Sequence, residues 1–121
     1  MRDYHNIAAW ERGHGFVKEI YKLTESFPKE ETFGLVSQLR RAAFSIPVNI
    51  AEGAGRSTNK DFAHFLQIAI ASANEVEYEL FLSMELGFIK EEEHSRLNTE
   101  IVEIRKMLIV FAKKIKSMPN D

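Results

Sequence analysis

An all-helical bundle of four helices is the fold this sequence predicts, and three observations predict it. Apolar residues recur every three or four positions in four separate stretches, the spacing of one helical face. The chain has only three prolines and six glycines, and most stand where such a stretch should stop. No segment shows the alternation of a half-buried strand. Short connections between the stretches favour an antiparallel, up-down-up-down bundle.

The first helix is expected from about Ile7 to Phe27. Gly13, Phe16, Ile20, Leu23 and Phe27 share a face, and Val17 and Thr24 widen it. Phe27-Pro28 ends it, because the residue before a proline avoids helical geometry. The second runs from about Phe33 to Glu52. Leu35, Leu39, Ala42, Ile46 and Ile50 form its stripe. Pro47 lies inside it and removes one backbone hydrogen bond, yet the apolar period carries on to Ile50. One helix kinked at Pro47 is therefore expected, with Gly53 as a left-handed cap at its end. The third runs from about Thr58 to Gly87. Thr58 caps it with Asp61 three positions on, and Phe62, Phe65, Leu66, Ala69, Ala73, Val76, Leu80 and Met84 form its stripe. The fourth runs from about Glu91 to Ser117. Three glutamates crowd its first turn and three lysines its last, both complementing the helix dipole. Leu97, Ile101, Ile104, Leu108, Phe111 and Ile115 face inward, and Pro119 stops the helix.

A chain of 121 residues fits one domain spanning 1–121, and 45% hydrophobic residues suffice for its core. The absence of cysteine excludes a disulfide framework, a thiol nucleophile and a cysteine-ligated zinc site. It also suits a reducing cytoplasm, which is the expected location. No secretory signal opens the chain, and charges interrupt every apolar stretch short of a membrane span of roughly 20 residues. A net charge of −2 does not mark a strong nucleic-acid binder, though charge can still be distributed unevenly.

Two helices carry more apolar surface than a back face should. At 100° per residue, Phe44 and Val48 fall opposite the stripe of helix two, near Arg41. Ile68, Leu82 and Leu86 fall opposite that of helix three, alongside Ala71 and Glu75. Scattered apolar side chains are ordinary on a surface, and a central helix can be covered on several sides. A subunit interface is the better reading, because the excess falls on both central helices. Two different patches suit a head-to-tail contact that closes into a ring. Arg41 and Glu75 are expected at that contact, where pairing would offset the burial of charge.

Catalytic patterns are sparse. Glu91-x-x-His94 has the spacing of a di-iron ligand pair, but no second Glu-x-x-His exists. A small metal-dependent bundle enzyme is kept as the alternative function. Glu75, Glu77 and Glu79 read as a solvated face rather than an acid-base pair. The four histidines show no spacing that specifies a triad. Gly53-Ala54-Gly55-Arg56 precedes a helix as a phosphate cradle would, but without a strand or a Walker-type lysine it reads as a cap and turn. Arg41, Arg56 and Lys60 are the candidate nucleic-acid contacts, set on a basic rim of an oligomer. No cofactor, metal, membrane or small-molecule substrate is expected.

Several segments together resemble one family. They are Ile7-x-x-Trp10, Phe33-Gly34-Leu35-x-x-Gln38-Leu39-Arg40-Arg41-Ala42, Ser45-Ile46-Pro47-Val48-Asn49-Ile50-Ala51-Glu52-Gly53, Gly55-Arg56, Asp61-Phe62-x-x-Phe65-Leu66 and Ala69-x-x-Ser72-x-x-Glu75-x-Glu77. The pattern resembles the four-helix proteins encoded within intervening sequences of bacterial 23S ribosomal RNA genes. That resemblance implies a four-helix fold, a ring-shaped homopentamer and no established enzymatic activity. The family is in turn similar to the accessory variability determinant proteins of diversity-generating retroelements, pentamers that work with a reverse transcriptase and bind nucleic acid. Members often carry glycine before the helix-three serine, where this chain has Ala71, and the retroelement proteins are strongly basic, where this chain is slightly acidic. The function expected is that of a non-catalytic, homo-oligomeric scaffold touching structured RNA or a protein partner.

Overall fold

The structure is a computed structural model, and it describes residues 2–120. The described residues form four α-helices: α1 (Ala8–Thr24), α2 (Leu35–Ala54), α3 (Asn59–Glu85) and α4 (Glu91–Lys116). Short 3-10 turns at Tyr4–Asn6 and Lys29–Glu31 precede α1 and α2. Each helix packs on the next, and α1 also meets α4, so the four enclose one core. Among the described residues there is no strand, and no helix is long and apolar enough to cross a membrane.

The stripes read from the sequence are the core. Phe16, Ile20, Leu39, Ile46, Ile50, Phe62, Leu66, Leu80, Leu97, Ile101, Ile104 and Leu108 are all fully buried. Removing such side chains from water is worth about 1.5–3 kcal/mol each. α2 runs through Pro47 unbroken, with Ile46 and Ile50 both inside. The chain caps its helices as its residues allow. Thr58 Oγ1 accepts the Asp61 N–H at 3.1 Å, and the Glu93 carboxylate accepts the Lys90 N–H at 3.0 Å. Gly87, at φ 80, is where the chain turns out of α3.

Two expectations need correction. Gly53 is not a left-handed cap, since α2 continues to Ala54 and Gly53 has helical geometry. A Cβ there would lie 2.7 Å from Cδ1 of Phe62 and 2.9 Å from Cβ of Phe65. The residue is glycine because α3 crosses α2 at that point. α1 also stops at Thr24, short of Phe27. The Thr24 hydroxyl donates back to the carbonyl of Ile20 at 2.8 Å, and its oxygen accepts from Arg40 Nε at 2.8 Å.

Candidate oligomer interface

α1 and α2 leave an open cleft of about 780 Å³ between their outer faces. Its walls carry Tyr4, Trp10, His14, Tyr21, Phe44 and Val48. The α1 wall is a stripe at helical spacing: Trp10, His14, Val17 and Tyr21. The His14 ring stacks on Trp10 at 4.9 Å and 8°, and Tyr4 meets Trp10 edge-on at 4.9 Å. Arg40 lies over Tyr21 at 4.5 Å and donates to its carbonyl. Phe44, 54% exposed, and Val48 form the α2 wall. Lys18 and Lys22 stand on the rim.

A second apolar row lies on α3. Ile68, Tyr78 and Leu86 are exposed along it. Leu82 is not part of that exposed row. It is half-buried and packs on the core, which corrects its placement opposite the stripe. An ideal helical wheel centred on α3's own stripe cannot see that neighbouring helices cover α3 from two sides. Sequence reasoning also missed Trp10, Tyr21 and Tyr78. The spacing of Trp10, His14, Val17 and Tyr21 was the available signal for the α1 wall.

Arg41 and Glu75 line one shallow polar cleft of about 290 Å³ between α2 and α3, with Gln38, Ser45 and Ser72. They make no salt bridge there. Glu75 instead faces Glu79, which is only 7% exposed and has Oε1 without a partner. Burial first, and then the hydrogen bond and charge of Glu75, push the Glu79 carboxyl up to about 8. The reading of these acids as a solvated face fails at Glu79, which is buried. Glu77 takes a third path and pairs with Arg105 of α4.

The remaining candidates are scattered. Arg56 lies at the α2–α3 turn, 4.0 Å from Asp61 and over the Phe65 ring. Lys60 stands in the first turn of α3, whereas Arg41 is four turns up α2 from Arg56. The three do not form one rim within a chain. Glu91 is exposed, and half-buried His94 meets Phe81 edge-on at 6.2 Å. Among the described residues, no three His, Cys, Asp or Glu side chains are grouped as a metal ion would require.

The model of the 23S rRNA-intervening sequence protein family matches residues 5–110. The chain belongs to that family. A solved structure from the S23 ribosomal protein family of Bacteroides thetaiotaomicron VPI-5482, a protein of unknown function, is 31% identical. The match covers 87% of this chain and 95% of that one, with a TM-score of 0.81. Comparison with curated proteins returned no match. The stretch Ser45–Gly53 that carried the resemblance holds part of the packing seam between α2 and α3. Ser72 Oγ donates to Ser45 Oγ at 2.7 Å, and Asn49 Nδ2 donates to the Ser45 carbonyl at 2.7 Å. Gly53 then lets the two helices close on each other.

Proposed function

We propose that this chain is a non-catalytic, homo-oligomeric scaffold of the cytoplasm, assembling head to tail into a ring. The observation that carries this reading is a pair of unlike apolar faces on one small molecule. The aromatic α1–α2 cleft with Phe44 and Val48 is one, and the α3 row of Ile68, Tyr78 and Leu86 is the other. Unlike faces fit each other only in a heterologous contact, which closes when the rotation allows. Lys18 and Lys22 line the cleft against a single acid, Glu25, and Glu75 and Glu85 lie on α3, so the net charges of the two faces are opposite. Burying five such side chains offers roughly 1.5–3 kcal/mol each before the costs of association.

The family resemblance supplies the ring size of five. The up-down-up-down order belongs to the same reading. It is supported by Arg12 meeting Glu100 while Glu19 meets Arg96, since ascent along α1 is descent along α4. A bend of α2 at Pro47 follows from the missing N–H. The likeness to accessory variability determinants supports a nucleic-acid partner by analogy of fold alone, and fold does not fix function.

Light scattering at micromolar concentration should give about five times the 13.9 kDa chain mass. A monomer would sink the interface, whereas a closed ring of another size would sink only the number. Phe44→Asp should abolish the assembly and leave helix content intact.

A further inference from the structure

The described charges are polarised along the bundle. At one end the α1–α2 and α3–α4 connections meet, with Phe27 against Phe88 at 5.5 Å. Glu25, Glu30, Glu85, Glu91 and Glu92 are exposed there and outnumber the exposed Lys22, Lys29 and Lys90. At the other end the chain after α4 folds onto the start of α3. Asn59 Nδ2 donates to the Pro119 carbonyl at 2.6 Å, and Asn120 Oδ1 accepts the Lys60 N–H at 2.9 Å. A groove of about 680 Å³ opens beside this junction. Lys60, His64 and Gln67 form its α3 wall, and Lys113 and Lys116 its α4 wall. No acidic side chain lines it, and no acid among the described residues pairs with these lysines.

We infer that this groove binds the phosphate backbone of a nucleic acid. The helix dipole accounts for Lys113 and Lys116, which sit at the negative end of α4. It does not account for Lys60, a cation in the first turn of α3, at the positive end of that helix. Two basic walls facing each other without an acid repel one another, and a bound anion relieves that repulsion. The shape selects a polymer. Lys60, His64 and Gln67 step along α3 over about 10 Å, farther than a single phosphate group reaches. Asn120 and Thr58 already take the first N–H groups of α3, so the charge offered is that of the side chains. The groove holds no Phe, Tyr or Trp ring, and His64 is its one ring, so the contact runs through phosphates and carries little sequence preference. Every residue of the site comes from one chain, and the inference stands whether or not the ring forms.

The test is fluorescence anisotropy with a labelled single-stranded RNA of about 20 nucleotides across a salt series. The triple variant Lys60→Gln, Lys113→Gln, Lys116→Gln should bind roughly tenfold more weakly at low salt, with a log–log salt slope shallower by about 2. The control Lys29→Gln, Lys90→Gln, Lys106→Gln removes equal charge elsewhere and should bind like the parent. Equal loss in both triples, or none in the first, would overturn the site. Poly-glutamate of matched charge displacing the RNA as well as unlabelled RNA does would assign the groove to an acidic protein. Inorganic phosphate displacing it at constant ionic strength would assign it to a small phosphate. Either result overturns the nucleic-acid backbone.

Discussion

At the scale of single residues, Glu79 sets the pH behaviour of the fold. Its carboxyl is raised from 4.5 to about 8 by burial and by Glu75. Between those values the folded chain holds a proton that the unfolded chain has released. Stability is therefore highest below the lower value, falls as pH rises through the window, and is lowest above it. Glu79→Gln keeps the shape and removes the ionisation. It should leave stability at low pH nearly unchanged and raise it at alkaline pH by about 1–3 kcal/mol, the penalty of an unsatisfied buried group. Urea denaturation across a pH series measures this, and parallel curves for parent and variant would contradict it. Gly53 is the second such position. Gly53→Ala pushes a methyl into the Phe62 ring, and overpacking of this kind costs about 1–3 kcal/mol. The sequence showed both residues and misread both. Neither the burial of Glu79 nor the crossing at Gly53 leaves a mark in the periodicity of its own helix.

At the scale of helices, the termini obey local rules and their lateral contacts do not. Thr58, Glu93 and Gly87 act where the sequence places an end, because capping involves residues three or four apart. Two glycines then give opposite outcomes for one substitution. Gly87→Ala forces a side chain into left-handed geometry and should cost about 1 kcal/mol. Gly15 lies inside α1 with nothing within 4 Å of an added Cβ. Gly15→Ala should therefore stabilise by about 0.5–1 kcal/mol through helix propensity. Thermal unfolding of the pair checks the sign of each. Between helices, Arg12 of α1 joins Glu100 at 2.8 Å and Glu103 at 3.0 Å on α4, which raises the guanidinium above its ordinary value. These partners are 88 and 91 positions apart in the chain, beyond the reach of any periodic reading.

At the scale of the whole molecule, the assembly has a direction that mixing can reveal. Phe44→Asp disables the cleft and leaves the α3 row, and Ile68→Asp does the reverse. Each variant alone should be monomeric. Mixed together, they retain one good cleft and one good row, and should form a dimer of about twice the 13.9 kDa chain mass. Sedimentation velocity of the mixture distinguishes this from an isologous contact, in which mixing restores nothing. The first half of each face was legible: Phe44, Val48, Ile68 and Leu86 were singled out by angle alone, and all are exposed. Trp10, Tyr21 and Tyr78 were not, because the aromatic wall belongs to a helix whose own stripe accounts for its hydrophobicity.

The sequence by itself determined the four helices, their inward stripes, the ends at Thr58 and Gly87 and the absence of thiol chemistry. Each of these follows from residues adjacent in the chain or one helical turn apart, where spacing and intrinsic geometry decide. Only the tertiary structure decided that Glu79 is covered, that Gly53 is a crossing point, that Leu82 packs against the core, and that Lys60 faces Lys113 and Lys116 across one groove. Those facts depend on which helix lies against which, and at what rotation. A helical pattern fixes the face that turns inward, but what covers its flanks is set by neighbours distant in sequence.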